Sequence, residues 1–367
     1  MLSSLFVCLG LFIVLMIIIS SPGINQVFGD SVTSVIPVDS FPQALVFNPS
    51  NNNIYAANRD SGTVSVIETN NNTVIKSIAV GASPHALVFN PSNNDIYVTN
   101  RDSGTVSVIE TNSNTVIKNV TVGSFPEQLL FNPDNNNIYV ANVISNSISV
   151  IDSNVNEIIS DIEVGIDPVD LEFNPSNNYI YVANEGSNTV SVIDPGNNNT
   201  LIKEIEVGGG SPISLKYNPS NNGLYVANRD SGTVSVIDTR NNTIANNVQV
   251  ENEPTTIEFN PANNDIYVAN RGSRSVSVID GSNNTLLDSV VVGTEPVAML
   301  FNPSNTDMYV GNVVSNSISI LNSENNTLAS TTDVNSLPLA LEFNPSNKAV
   351  YVAGTLTGTD GLVSVIK

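Results

Sequence analysis

A phrase of about 42 residues recurs along the chain, and this repeat constrains the fold more than any other feature of the sequence. Each copy contains Phe-Asn-Pro or Tyr-Asn-Pro, then Tyr-Val-Ala-Asn or a variant of it, then Val-Ser-Val-Ile or a variant. The copies begin at Phe47, Phe89, Phe131, Phe173, Tyr217, Phe259, Phe301 and Phe343. Successive copies are 42 residues apart, except for a step of 44 between Phe173 and Tyr217. A repeat of this length indicates one array of similar units, whatever the length of the chain.

Four short apolar runs lie within each copy, separated by Asn, Gly, Pro and Asp. We name them A (before Phe-Asn-Pro), B (Tyr-Val-Ala-Asn), C (Val-Ser-Val-Ile) and D (before a Gly-x-x-Pro turn). Such runs, rich in Val, Ile and Tyr, are typical of β-strands, and no segment after residue 30 has helical periodicity. Runs B and C are apolar at nearly every position, which indicates that both of their faces are covered. Four antiparallel strands repeated at this period predict an all-β fold, the β-propeller.

The order of the runs predicts the number of blades. Runs A, B and C each occur eight times, but the first D run, at residues 33–39, precedes the first A run. Pairing of this D strand with the last A, B and C strands would remove an unpaired sheet edge. Residues 33–367 are 335 positions, close to eight times 42. We therefore predict an eight-bladed β-propeller, with residues 30–367 as a single domain; the alternative is a seven-bladed ring with an extra repeat.

An apolar stretch at residues 5–19 precedes the repeats. It is short for a membrane span of about 20 residues, but it matches the core of a secretory signal, and Val-Phe-Gly at residues 27–29 offers a cleavage site before Asp30. No Lys or Arg precedes the stretch, so the positive leader of such signals is missing. Residues 1–29 are predicted to be a signal peptide or an uncleaved N-terminal membrane anchor. Both alternatives make the protein secreted or bound at the cell surface.

The charge of the chain limits its partners. Twelve basic and 34 acidic residues give a formal net charge of −22. Such a surface repels nucleic acid and anionic membrane. Nucleic acid is therefore not expected as a partner, and membrane contact is expected only through an uncleaved N-terminal segment. Cell-envelope proteins or polysaccharides remain as partners.

Tyr97-Val-Thr-Asn100 and its seven variants, each followed by Val-Ser-Val-Ile or a variant and a Gly-x-x-Pro turn, resemble the YVTN β-propeller repeat family. The resemblance covers the chain after about residue 32. Proteins with this repeat include archaeal surface-layer and other cell-surface proteins, so the resemblance implies an extracellular role. Relatives of the haem d1 and quinone-associated propellers share the family name, and their chemistry needs histidine ligands or a Cys-x-x-Cys-His attachment. This chain has one histidine, His85, and one cysteine, Cys8, so no cofactor is expected.

Five of the six arginines lie in predicted B–C loops, and aspartates accompany three of them. The residues are Arg59, Asp60, Arg101, Asp102, Arg229, Asp230, Arg271 and Arg274. In an eightfold ring they fall in blades 1 and 2 and, on the opposite side, in blades 5 and 6. One interpretation is two patches that bind carboxylates or sulfates of a polymer, because the guanidinium fork matches such anions. The other is that each arginine pairs with the adjacent aspartate or with the loop of the next blade.

Six Asn-x-Ser/Thr sequons are candidates for glycosylation. They begin at Asn71, Asn119, Asn198, Asn241, Asn283 and Asn325. Five lie in predicted C–D turns, on the face opposite the arginines, and Asn119 lies within a D strand. The alternative is that Asn-Asn-Thr is good turn chemistry and forms sequons by coincidence. If glycans are attached, they shield that face, and a partner uses the other one.

Acidic residues of the predicted D–A loops, together with His85, are the candidates for catalytic residues. These are Asp167, Asp170, Glu253 and Glu295. No catalytic set or metal-binding spacing is recognised among them, and in an acidic chain loop carboxylates are commonly only solvated. The leading hypothesis is a non-enzymatic, exported cell-surface module for binding or envelope structure, which contacts its ligand through the D–A and B–C loops. The alternative is a lactone- or glycan-cleaving hydrolase or lyase that uses channel-mouth carboxylates and a divalent cation.

Overall fold

The computed structural model describes residues 30–356 and 360–367, which form 32 β-strands. The first strand is β1 (Val32–Val38). It is followed by β2 (Pro42–Asn48), β3 (Asn53–Asn58), β4 (Thr63–Glu68), β5 (Thr73–Ala79), β6 (Pro84–Asn90), β7 (Asp95–Asn100), β8 (Thr105–Glu110), β9 (Thr115–Thr121), β10 (Pro126–Asn132), β11 (Asn137–Asn142), β12 (Ser147–Asp152), β13 (Glu157–Glu163), β14 (Pro168–Asn174), β15 (Tyr179–Asn184) and β16 (Thr189–Asp194). The second half contains β17 (Thr200–Glu206), β18 (Pro212–Asn218), β19 (Gly223–Asn228), β20 (Thr233–Asp238), β21 (Thr243–Gln249), β22 (Pro254–Asn260), β23 (Asp265–Asn270), β24 (Ser275–Asp280), β25 (Thr285–Val291), β26 (Pro296–Phe301), β27 (Met308–Asn312), β28 (Ser317–Asn322), β29 (Thr327–Asp333), β30 (Leu337–Asn344), β31 (Ala349–Thr355) and β32 (Gly361–Ile366).

The strands form eight antiparallel sheets of four strands each, so the eight-bladed propeller is confirmed and the seven-bladed alternative is wrong. Blades 1 to 7 are consecutive groups of four strands from β2 to β29, in the order A-B-C-D from the centre outward. Blade 8 consists of β30, β31, β32 and β1, in that order. The first strand therefore closes the ring as the outermost strand of the last blade, with Val35 opposite Ser364.

The core consists of eight similar clusters, each between two neighbouring blades. The cluster between blades 1 and 2, for example, combines Tyr55 and Val66 of one sheet with Ile96 and Val98 of the next, all fully buried. Strands B and C are buried on both faces because a sheet packs on each side of them, as their unbroken apolar sequences predicted. Strands D are largely exposed, since they form the outer edge.

The polar residues of the repeat are also structural. Asn58, at the end of strand B, is fully buried, and its amide donates to Ser65 Oγ at 2.9 Å. This hydrogen bond explains the serine inside the otherwise apolar Val-Ser-Val-Ile, because a buried amide needs a partner. In blade 2 the corresponding Asn100 packs against Gly81 of the preceding turn, where a Cβ atom would lie 2.6 Å from the Asn100 Cβ. The glycine of this Gly-x-x-Pro turn is therefore required by close approach of the next blade.

Tyrosines of strand B connect each blade to the next. The hydroxyl of Tyr55 donates to Asn114 Oδ1 in the C–D turn of blade 2, at 2.7 Å. At the closure of the ring, Asp30 takes the place of that asparagine and accepts from Tyr309. The two ends of the chain also pair directly, because Ser31 N–H donates to Lys367 C=O at 3.0 Å.

Residues 1–29 lie outside the described residues, so the predictions of a signal peptide or anchor, and the surroundings of Cys8, stay predictions. Within residues 30–356 and 360–367, no helix is long and apolar enough to cross a bilayer.

Candidate functional site

The D–A and B–C loops lie together on one face of the ring because their backbones are hydrogen-bonded. In blade 1, Arg59 N–H donates to Phe41 C=O at 2.9 Å and Asp60 N–H donates to Ser40 C=O at 3.3 Å. Blade 2 has the same bond between Arg101 and Ser83, at 3.0 Å. We call this surface the D–A/B–C face. It carries the predicted arginines, and strands A lead from it into the central channel.

Four of the five predicted arginines form ion pairs with carboxylates. The nitrogen-to-oxygen distances are 2.9 Å for Arg59 to Asp60, 2.9 Å for Arg101 to Glu127, 2.5 Å for Arg229 to Glu185 and 2.9 Å for Arg271 to Glu295. Only Arg59 relies on the adjacent aspartate alone; the other three reach a glutamate of another loop or blade. This pairing is the arrangement that the second interpretation of the arginines predicted, and a role in ligand binding stays a prediction.

The remaining predicted residues of this face occupy turn positions. Asp102 and Asp230 each accept a hydrogen bond from a serine of the adjacent D–A loop, Ser83 and Ser211 respectively. Arg274 is exposed and has a φ of 57°. Glycine holds this position in several other B–C loops, for example Gly62 with a φ of 64°. Arg274 is therefore part of the turn itself.

The acidic residues do not converge. Asp167, Glu253 and Glu295 occupy the same left-handed turn position of three different D–A loops, with φ values between 53° and 55°. Asp170 was predicted in a loop, but it lies in β14, because the strand begins at Pro168, directly after the turn. No group of three His, Cys, Asp or Glu side chains in the described parts of the chain is arranged to hold a metal ion.

A chain of hydrogen bonds at the mouth of the channel includes the single histidine. Gln43 Nε2 donates to His85 Nδ1 at 2.8 Å, and His85 Nε2 lies 3.0 Å from Glu127 Oε1. This geometry fits the neutral tautomer with its hydrogen on Nε2, which donates to Glu127. Arg101 lies on the other side of Glu127 as an ion pair. Burial would raise the pKa of Glu127, but the hydrogen bond from His85 and the charge of Arg101 hold it below its ordinary value.

Two phenylalanines support the arginines around this chain. The guanidinium carbon of Arg59 lies 3.8 Å from the centre of the Phe41 ring, and that of Arg101 lies 4.0 Å from the centre of the Phe125 ring. Both phenylalanines have positive φ, 58° and 63°. The same position has positive φ in the D–A loops of blades 1 to 7, so the conformation belongs to the repeat, and phenylalanine occupies it in blades 1 and 3 alone.

A cavity of about 520 Å³ opens beside these residues. Its polar wall consists of Gln43, Arg59, His85 and Gln128. The rest of the wall is apolar and comes from blades 8, 1 and 2: Phe41, Ala44, Leu45, Ala86, Leu87, Leu339 and Ala340. The Oε1 atom of Gln43 is buried and has no hydrogen-bond partner among the described residues. One residue of the cavity wall therefore has an unpaired acceptor, and that oxygen itself is closed to the cavity.

A second polar cluster lies within the channel wall, in blades 4 to 6. Lys216 Nζ is 2.9 Å from Glu258 Oε1, and the charge of Lys216 also acts on Glu172 and Asp170. Burial raises the pKa of Asp170 to about 6 and that of Glu172 to about 7, although both carboxylates accept backbone hydrogen bonds. One cation faces several carboxylates here, so the cluster is an acidic part of the channel wall.

Sequence reasoning missed Gln43, Glu127 and the cluster around Lys216. The sequence does contain a signal for Gln43 and Glu127. The residue after the proline of strand A is polar in blades 1 to 3 and apolar in four of the other five blades. Down the eight copies it reads Gln43, His85, Glu127, Val169, Ile213, Thr255, Val297 and Leu339. The contacts between these residues follow from the ring, which places the same position of successive copies side by side.

The six sequon asparagines are all exposed, five in C–D turns and Asn119 in β9. In the turns, the threonine of the sequon often donates to its own asparagine, as Thr73 does to Asn71 at 2.6 Å. Their exposure is compatible with glycan attachment, and the hydrogen bond shows that they are also good turn residues.

The family model of the YNCE-like beta-propeller matches residues 89–321. No curated protein sequence matches the chain. Among solved structures, the dihydro-heme d1 dehydrogenase NirN, determined in complex with DHE, is similar with a TM-score of 0.74 and 14% identity, over 87% of this chain and 73% of that chain. The hydrazine synthase of Kuenenia stuttgartiensis is similar with a TM-score of 0.62 and 19% identity, over 82% of this chain and 99% of that chain. At these identities the two structures show a shared fold alone. The family match covers more than half of the chain, and the chain belongs to the YNCE-like β-propeller family.

Proposed function

We propose that this protein is an exported, non-enzymatic binding module of the cell surface, and that it contacts a polysaccharide or another envelope component through the D–A/B–C face. The observation that carries the proposal is the cavity of about 520 Å³ at the channel mouth. Its wall combines polar side chains, Arg59 among them, with apolar ones, and a concavity with a few fixed polar groups beside apolar side chains is a common form of ligand site. The loops that form it are positioned by a rigid ring, which is how scaffolds commonly present binding loops.

A surface-layer or other envelope location is part of the same proposal. It is supported by the apolar stretch at residues 5–19 and by the repeat type. Six exposed sequons, five of them in turns opposite the D–A/B–C face, also suit an exported protein. Glycans at these turns would leave only the D–A/B–C face free for a partner. Mass spectrometry of the protein purified from its source would detect them.

The alternative function is a hydrolase or lyase. The observation in its favour is the His85–Glu127 pair beside the cavity, since a histidine oriented by a carboxylate can act as a general base. The dispersed acids of the D–A loops do not supply the cation site that this mechanism was predicted to use. Release of new reducing ends or ring-opened lactones by the purified protein would support the enzyme, and unchanged substrates would support the binding module.

A glycan and polysaccharide array tests the proposal directly. Residues 30–367 should bind one class of glycan, and the double variant Arg59→Ala, Arg229→Ala should bind it less. If the unmodified protein binds no glycan and no envelope fraction, the binding module is wrong. If the double variant binds as well as the original, the arginines have no part in binding.

A further inference from the structure

The two halves of the ring carry arginines at equivalent positions, and each half has a cavity beside them, of about 520 Å³ at Arg59 and about 500 Å³ at Arg229. The two cavities differ in their walls, because the one at Arg229 is lined only by polar residues and glycines of the loops. Arg229 and Arg271 of blades 5 and 6 are the counterparts of Arg59 and Arg101. Each of them is paired with a glutamate of a neighbouring blade, at 2.5 and 2.9 Å. Arg59 instead uses Nε for Asp60, which leaves its terminal nitrogens without an acceptor in the described residues. The guanidinium of Arg59 lines the cavity, and the N–H groups of its terminal nitrogens are available to a ligand.

The inner strands A of the two halves also differ, because polar residues line the channel mouth in one half and mostly apolar residues in the other. Gln43, His85 and Glu127 form the polar chain of blades 1 to 3, whereas the same positions of blades 5 to 7 carry Ile213, Thr255 and Val297. The same turn position holds Phe41 in blade 1 and Ser211 in blade 5. Both residues have positive φ, 58° and 57°, but only the phenylalanine places an aromatic ring beneath an arginine. The aromatic support and the polar chain therefore occur together, on one side of the channel.

We propose that the channel mouth of blades 1 to 3, and not the arginine patch of blades 5 and 6, binds a carboxylated sugar. This inference rests on the proposed function. The planar fork of Arg59 suits a carboxylate, which accepts two parallel hydrogen bonds from it. Gln128 supplies both a donor and an acceptor for sugar hydroxyls, and His85 is a further polar group on the same wall. The apolar residues of the wall contact the carbon face of the ring.

The charge of the whole protein limits the ligand to a short chain or a chain end. A net charge of −22 repels a long polyanion, and the guanidinium of Arg59 offsets this repulsion only locally. A volume of about 520 Å³ is also within the range of small-molecule sites, about 300 to 1,000 Å³. The site thus selects one acidic sugar unit with its immediate neighbours.

Titration calorimetry of residues 30–367 with tetragalacturonate and with its fully methyl-esterified form tests this inference. The ester has the same skeleton without the charges, so it should bind roughly tenfold or more weakly than the acid, as expected for loss of a charge-assisted hydrogen bond. Arg59→Ala should weaken binding of the acid by roughly tenfold to a hundredfold and leave binding of the ester nearly unchanged. Arg59→Lys, which keeps the charge without the fork, should give an intermediate loss.

Two further variants show which part of the ring binds the uronate. Arg229→Ala, the counterpart in the other half, should change the affinity less than about twofold, and Arg240→Ala, in a C–D turn on the opposite face, should leave it unchanged. Unaltered melting temperatures exclude misfolding as the cause of a loss. Equal losses in Arg59→Ala and Arg229→Ala would overturn the single site in favour of two patches. Binding of other array glycans without binding of the uronate would overturn the inference and leave the proposed function standing, whereas an array without any binding would end both.

Discussion

Substitution of Glu342 tests how much a buried carboxylate without a cationic partner lowers the stability of the folded protein. Glu342 lies in β30 and accepts a hydrogen bond from Phe47 N–H at 3.3 Å. The same position of the two neighbouring inner strands carries Leu300 and Val46, so neither strand offers a cation. Burial raises the pKa of Glu342 from 4.5 to about 7. Glutamine at this position has the same shape, keeps an acceptor for Phe47 and has no charge.

The raised pKa of Glu342 determines how the stability of the protein changes when glutamine replaces it. A carboxylate with a raised pKa in the folded state binds its proton more tightly there, so its contribution to stability is complete below about pH 4.5 and is lost as the pH rises through about 7. A difference of about 2.5 pKa units corresponds to about 3 kcal/mol. Because Glu342 is only partly buried beside the channel, we expect Glu342→Gln to stabilise the protein by about 1 to 3 kcal/mol at pH 8, and not at pH 5.

Thermal unfolding followed by circular dichroism measures this difference. At about 2.1 cal/mol/K per residue, a ring of this size has an unfolding entropy of about 0.7 kcal/mol/K, so the melting temperature should rise by about 2 to 4 °C at pH 8. The matched control is Glu258→Gln, which removes the partner of Lys216 and should lower the melting temperature at pH 8. A lower or unchanged melting temperature of Glu342→Gln at pH 8, or an equal rise at pH 5, would refute the reasoning.

Three other predictions concern the ring and its surface. Gly81→Ala should destabilise the protein by about 1 to 3 kcal/mol in urea unfolding, because the new Cβ would lie 2.6 Å from Asn100 Cβ, whereas Gly196→Ala, whose nearest atom is at 3.3 Å, should change little; equal effects would contradict the close-packing argument. In residues 30–367, the pair Val35→Cys and Ser364→Cys should form a disulfide joining the two ends, because these residues are opposite each other in β1 and β32, and peptide mapping without reductant should find it; two free thiols would contradict the closure. In protein from its source, enzymatic release of glycans should reduce the mass of peptides containing Asn71 or Asn325 more than that of the peptide containing Asn119, because strand D forms part of a sheet; identical occupancy would show that turn position does not matter.

The sequence predicted the ring almost completely, because each blade repeats the same physical requirements. The alternation of apolar runs with Asn, Gly and Pro predicted 32 strands, and the early D run predicted the closure that β1 and β32 make. The predicted bounds of that strand, residues 33–39, differ by one residue from the observed β1. Hydrogen bonds such as that between Tyr309 and Asp30 were not predictable, because they join residues that are distant in sequence and meet only once the ring has closed.

The candidate site was predicted less well. The loops that carry Arg59 and Arg101 were assigned to the correct face, but sequence alone did not distinguish Arg59 from Arg229, which has the same local context of Asn-Arg-Asp-Ser-Gly. The difference lies in the surroundings of the two arginines: Glu185 of the neighbouring blade reaches Arg229, whereas Phe41 of the same blade lies beneath Arg59. Such differences depend on contacts between copies and not on the motif within one copy.

Hydrogen–deuterium exchange with and without tetragalacturonate tests the central claim, that the two similar halves of the ring are not equivalent in binding. We predict slower exchange in the D–A and B–C loops of blades 1 to 3, around residues 39–43, 59–62, 82–86, 101–104 and 124–128, with no change in blades 5 to 7. Equal protection of residues 229–232 and 271–274, or protection confined to the C–D turns, would contradict the account.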